Sequence, residues 1–183
     1  AVINLAISGE RVGLGKMNLI TWDLKDFYLH PKHKLEKPEY AVVRTNTLPK
    51  GYVEKKGWGK YVKDGRLHFK VTGALYGLPL AGKIARKHVL EVLSKGGFRE
   101  TDIAGLGTNE NKQSPIIYAT HVDDYVAAYK SRQEVDRMIK TLEKAGYKVK
   151  VDESASKYCG MTIKMKETGE VDVSMPEYVP NAL

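Results

Sequence analysis

Two adjacent carboxylates, Asp123 and Asp124, interrupt an aromatic-rich run, Tyr118-Ala119-Thr120-His121-Val122-Asp123-Asp124-Tyr125-Val126-Ala127-Ala128-Tyr129. Side-by-side anions repel, and Asn-Gly or Asp-Gly makes an easier tight turn. A bound cation removes the repulsion. Oxygen-only ligands of this kind suit Mg²⁺, which takes one or two carboxylates together with water and substrate phosphates. The plain alternative is an Asp-Asp turn without chemistry, because Asp is a favoured turn residue. A metal reading needs a third carboxylate from elsewhere. Asp23 offers one at the end of an apolar run (MNLITWD, 17–23), with Asp26 three positions on and Phe27-Tyr28 behind it. Asp23 serves equally well as the cap of a turn over 24–29.

The elements that must position these groups follow from periodicity. The arms around the Asp pair, 115–122 and 124–130, are rich in Tyr and Val without helical spacing and predict a hairpin. Residues 1–9 read as a short helix stopped by Gly9, and 17–23 as a strand. The basic, Gly-rich loop over 11–16 lacks the spacing and the preceding strand of a phosphate-binding loop. Residues 31–70 are dense in Lys, Gly and Pro and read as an inserted subdomain with short strands near 40–43 and 67–71. Within it, residues 50–61 interleave basic and aromatic side chains, which suits phosphates and stacked bases or a solvated loop. An apolar stripe predicts a helix over 81–95, a polar loop fills 105–114, and Ser131 with Glu134 reads as a capping box for a helix over 132–145. A strand over 147–151 and a hairpin pairing 158–166 with 170–175 close the chain. This order predicts an α+β fold, an antiparallel sheet with helices packed on one face. In such a sheet the end of the 17–23 strand lies beside the 123–124 turn.

Composition narrows the partners. Hydrophobic content of 42% and charged content of 28% are ordinary for a globular chain of 183 residues, enough for one domain with a small subdomain. A formal charge of +8 and a pI near 9.4 point to a polyanion, nucleic acid before membrane. The single Cys159 excludes an internal disulfide and favours a reducing, intracellular setting, cytoplasmic or nuclear. No apolar run approaches the roughly 18 residues of a membrane span, and no signal peptide is visible, so no membrane partner is expected. A start at Ala1 and a stop at Leu183 read as an excerpt of a longer polyprotein.

Four blocks, in order, resemble the reverse transcriptase family, closest in wording to the Ty1/copia retrotransposon type: Asp23-Leu24-Lys25-Asp26-Phe27-Tyr28, Tyr76-Gly77-Leu78-Pro79-Leu80-Ala81-Gly82, His121-Val122-Asp123-Asp124 and Tyr158-Cys159-Gly160-Met161. The resemblance extends to the tail Val171-Asp172-Val173-Ser174-Met175-Pro176-Glu177-Tyr178 and covers nearly the whole chain. It implies a polymerase palm with a ferredoxin-like core and a small fingers insertion. The implied division is a first palm segment (1–30), fingers (31–72), a second palm segment with the catalytic hairpin (73–157), and a primer-grip hairpin with the start of a thumb (158–183). It implies RNA-directed DNA polymerase activity, adding dNTP to a primer 3′-hydroxyl on an RNA or DNA template. Asp23, Asp123 and Asp124, with the Leu24 backbone, would hold two Mg²⁺ ions, with Mn²⁺ as a substitute, one for the hydroxyl and one for the triphosphate. Asp26, Phe27, Tyr28, Leu80, Lys148 and Lys150 would line the nucleotide site. There Tyr28 packs beneath the sugar, Asp26 supports the strand end, and Lys148 or Lys150 protonates pyrophosphate. Tyr158, Cys159, Gly160 and Met161 would grip the primer.

Three departures stand out. Leu80 occupies a position where the family has Gln, and His121 replaces Tyr. Only 22 residues precede Asp23, so the upstream triphosphate-binding hairpin is missing, as are the thumb and ribonuclease H regions. The isolated chain is therefore expected to polymerise poorly. Two other readings remain: a domesticated, inactive palm serving as a structural or RNA-binding subunit, and a small sheet that binds single-stranded RNA through Tyr118, Tyr125 and Tyr129.

Overall fold

A near-continuous apolar run buries both faces of a strand, and Asn18–Lys25 carries such a run: Leu19, Ile20, Thr21, Trp22 and Leu24 are all buried. A computed structural model describes residues 1–8, 13–166, 168, 170–178 and 180. The Gly9 stop, some of the 11–16 loop and most of the 167–169 turn lie outside the described residues. In chain order the elements are α1 (Val2–Ser8), β1 (Asn18–Lys25), β2 (Lys34–Arg44), α2 (Tyr52–Lys55), β3 (Val62–Lys63), β4 (Arg66–Gly73), α3 (Ala81–Lys95), β5 (Phe98–Glu100), β6 (Leu106–Asn109), β7 (Ile116–His121), β8 (Asp124–Tyr129), α4 (Arg132–Lys144), β9 (Lys148–Asp152), β10 (Lys157–Tyr158), β11 (Met161–Met165) and β12 (Val171–Ser174). Among the described residues, no helix is long and apolar enough to cross a membrane.

The chain divides into two units, Ala1–Phe27 with Arg86–Leu183, and Tyr28–Ala85. The first holds a six-stranded sheet, β5-β6-β7-β8-β1-β9, antiparallel throughout, and a three-stranded sheet, β10-β11-β12. Around β1 the chain runs strand, helix, hairpin, helix, strand, and the first strand inserts between the hairpin and the last strand in the order β7-β8-β1-β9. The second unit is built on β2-β4-β3.

One sheet face, formed by Ile20, Trp22, Leu24, Tyr125 and Ala127, is buried, and Trp22 stacks on Tyr125 with ring centroids 5.2 Å apart. The α4 stripe Val135, Met138, Ile139 and Leu142 turns inward, and the helix packs on β8 and β9. The other face is not bare, as the expectation of helices on a single face requires. There α1 buries Val2 against Met17, Leu19, Val126 and Ala128. The reason lies in the alternation. Leu19, Val126 and Ala128 share a face with Asp23 and Asp124, so that face is acidic at one end and apolar at the other, and the apolar end needs a cover.

Two further expectations fail for identifiable reasons. The 105–114 segment is not all loop, because β6 pairs with β7 and carries β5 on its outer edge. Its sequence, Leu-Gly-Thr-Asn, has no strand periodicity; pairing is imposed by the neighbour, where Tyr118 sits opposite Gly107. The capping box does not form either. Ser131 is the N-cap residue but makes no side-chain cap hydrogen bond. Glu134 instead accepts from Arg137 Nη2 at 2.7 Å, Asn109 Nδ2 at 2.9 Å and Asn111 Nδ2 at 3.3 Å. Burial alone would raise the Glu134 carboxyl, and these donors outweigh it and hold it below its usual range. Ser131→Ala should therefore cost under about 0.5 kcal/mol, whereas Glu134→Ala, which strips a partner from buried Asn109, should cost about 1–3 kcal/mol. Thermal denaturation of both variants checks the ranking; equal losses would restore the capping box.

Candidate active site

The two-residue turn Val122-Asp123 joins β7 to β8. Val122 has φ of 59°, while Asp123 is not among the positive-φ residues, the pattern of a type II′ turn. That first central position favours Gly, and a β-branched residue there is strained. Val122→Gly should stabilise the chain by a few tenths to about 1 kcal/mol, the relief of left-handed strain less the added chain entropy. A melting midpoint that falls would show the turn to be unstrained.

The register draws one row across four strands: His121 opposite Asp124, Asp124 opposite Asp23, and Asp23 opposite Lys150. Cross-strand partners share a face, so two carboxylates lie side by side between an imidazole and an ammonium. Asp123 sits in the turn, and its carbonyl accepts the Leu24 N–H at 2.9 Å. The Leu24 side chain is fully buried in the opposite face, so only its backbone reaches the site. Among the described residues, the ligand oxygens of Asp23, Asp123 and Asp124 do not all close within 4.8 Å of one another.

Burial raises the Asp23 carboxyl above its usual range, and the charges of Asp123 and Asp124 add to this against Lys150 and Lys25. Burial and then Asp123 raise Asp124, opposed by hydrogen bonds from the Cys159 backbone and thiol and by His121. This all-oxygen set, with destabilised anions facing one another, has the donor chemistry of a Mg²⁺ or Mn²⁺ site.

A groove of about 790 Å³ opens beside the row, with Asp23, Asp124, Lys150, Tyr158, Cys159 and Gly160 in its lining. Cys159 adopts φ of 49° ahead of Gly160 at 73°, and its amide and thiol donate to Asp124. Met161 opens β11 and pairs with Tyr158. The far wall is pinned by Asp152, which accepts from the Ser154 amide and hydroxyl (3.0 and 2.6 Å) and from the Ser156 amide and hydroxyl (2.8 and 2.6 Å). Burial would raise the Asp152 carboxyl, but these four bonds hold it at about 2. Sequence reasoning passed over this residue, although Asp with Ser two and four positions on is a side-chain turn signal.

Lys148 and Lys150 differ. Lys148 Nζ pairs with Asp26 Oδ2 at 3.0 Å, both side chains exposed, whereas Lys150 stands in the acidic row. Phe27 is a core residue, 1% exposed with its ring stacked on Tyr147 at 6.1 Å, so the expectation that it lines a nucleotide site does not extend to its side chain. Tyr28 and Leu80 belong to the other unit. There Tyr28 meets the Tyr76 ring edge-on at 4.9 Å, and Leu80 is exposed. Tyr118 and Tyr125 are buried, which removes them from the aromatic face that a sheet-type RNA binder needs.

No family model matches the chain. A putative transposon Ty5-1 protein of Saccharomyces cerevisiae is 30% identical over 115 residues, covering 62% of this chain and 37% of that protein. The chain thus spans less than two-fifths of the length of this relative. Among solved structures, telomerase from Candida albicans in complex with a fragment of telomeric RNA aligns with 93% of this chain and 34% of its own, at 14% identity and a TM-score of 0.46. Apo telomerase from Candida tropicalis aligns with 93% of this chain and 38% of its own, at 12% identity and a TM-score of 0.44. Over those 115 residues, the chain is similar in sequence to that transposon protein.

Proposed function

We propose that this chain is the palm core of an RNA-directed DNA polymerase, a ferredoxin-like sheet that carries the catalytic carboxylates, with the 31–72 insertion as a piece of the fingers. The observation that supports it best is the pairing of Asp23 with Asp124 across β1 and β8, beside Asp123 in a strained turn. Asp23, Asp123 and Asp124 would hold two divalent ions. When bound, such ions supply a Lewis acid for a primer hydroxyl and neutralise a triphosphate. The Cys159 amide and thiol, which donate to Asp124, would steady its carboxylate. Lys150 is the proton donor to departing pyrophosphate, because Lys148 is engaged with Asp26. Tyr158, Cys159 and Gly160 form the groove wall that would take the primer strand, with Met161 opening β11 next to them. The nucleotide-site roles of Tyr28 and Leu80 rest on the family resemblance alone.

Primer extension on an RNA template by the full natural polypeptide tests this. Activity should require Mg²⁺ or Mn²⁺ and vanish in Asp123→Asn, and Lys150→Ala should slow it far more than Lys148→Ala. Leu80, an exposed apolar side chain in place of Gln, favours the inactive-subunit reading. Ion binding without any extension would decide for that reading.

A further inference from the structure

The second unit carries an open apolar groove of about 760 Å³, lined by Tyr40, Val43, Leu48, Trp58, Tyr61 and Phe69 among others. Tyr40 is 77% exposed, Tyr61 51% and Phe69 40%. Aromatic side chains left this open on a small sheet mark an interaction surface. Charge adds the second observation. Residues 28–85 hold 12 Lys and Arg against 4 Asp and Glu, whereas the rest of the chain holds 18 of each. The whole net charge of +8 therefore resides in this unit. Lys70 lines the groove, and Lys60 Nζ rides over the Tyr61 ring at 5.0 Å.

We infer that this groove docks an acidic peptide segment bearing large apolar side chains. A second copy of the chain is disfavoured, since two surfaces of this charge repel. A nucleobase fits the charge and can stack on the exposed rings, but beyond the Tyr and Trp rings only His68 and Lys70 in the lining offer its edges a polar partner, whereas the apolar wall suits aliphatic and aromatic side chains. Leu and Phe side chains need no such partners, and flanking Asp and Glu meet Lys70 and Lys60. The inference concerns the second unit alone and is independent of the polymerase reading.

The test uses the full chain and a short fluorescein-labelled peptide in which Asp and Glu alternate with Leu and Phe. Anisotropy at physiological salt should show saturable binding. Replacing the peptide's Leu and Phe by Ser should weaken it by about tenfold or more, as should Tyr40→Ser with Tyr61→Ser, exposed positions whose change spares the fold. Trp58 emission should shift on binding; Trp22, at 2% exposure, serves as the internal reference. A labelled oligouridylate should bind through charge only, unaffected by the Tyr substitutions. No peptide binding, equal binding of the Ser-substituted peptide, or an oligouridylate complex that depends on Tyr40 and Tyr61 would each overturn the inference.

Discussion

Asp23→Asn and Asp124→Asn should each raise the melting midpoint of the chain in chelator at pH 7 while removing its response to Mg²⁺. Both carboxyls titrate above their usual range in the fold, chiefly from burial and then from neighbouring carboxylates. For an acid shifted upward, the sign is clear: the fold is favoured while the group is protonated, and that advantage is lost as pH rises through the ordinary value and then the folded one. At pH 7 the charge is a net cost, and the amide removes it. The neutral variants gain about 2–4 °C for each kcal/mol relieved. Divalent ions reverse the order. An ion at 100 times its dissociation constant stabilises a binding-competent chain by about 2.7 kcal/mol, which the variants forgo. In the full polypeptide the same substitutions should cut extension by about 100-fold or more. Loss of stability in chelator would mean that the carboxylates are structural.

Among the described glycines, Gly107→Ala should be the most damaging alanine substitution. A Cβ at Gly107 would fall 2.2 Å from Tyr118 Cζ and 2.4 Å from its hydroxyl. Tyr118 is 1% exposed and sits directly opposite Gly107 in the β6–β7 ladder, so its ring has nowhere to retreat. Overpacking of this kind costs about 1–3 kcal/mol, sometimes more. The damage reaches the site because β7 carries His121 and leads into the Val122-Asp123 turn. Tyr118→Leu costs stability alone but should soften the Gly107→Ala penalty, giving a coupling of at least about 0.5 kcal/mol in a double-mutant cycle. Simple additivity would mean that the two positions do not clash.

What the sequence discloses depends on whether a residue's role is periodic. The β1 run, the β7–β8 arms, the α3 stripe and the α4 stripe repeat with the period of their element, and the structure forms each within a residue or two of expectation. β5 and β6 have no such period and exist because Tyr118 and its neighbours recruit them. Glu134 had two possible partners, its own cap or the 109–111 loop with Arg137 one turn along its own helix, and Asn109, Asn111 and Arg137 Nε and Nη2 offer four donors against one. Lys148 and Lys150 lie two apart on a strand and face the same way, so only register sets Lys150 against Asp23. Phe27, beside two carboxylates in the sequence, turns into the core because a buried Tyr147 stands ready for its ring.

Calorimetric titration of Mn²⁺ and Mg²⁺ into the chain tests the convergence of Asp23 with the Asp123–Asp124 pair most directly. Saturable binding in the wild-type chain, abolished by Asp23→Asn and by Asp123→Asn alike, is the predicted result. Binding that survives Asp23→Asn would mean that the two halves of the acidic row do not share an ion, and would contradict the account.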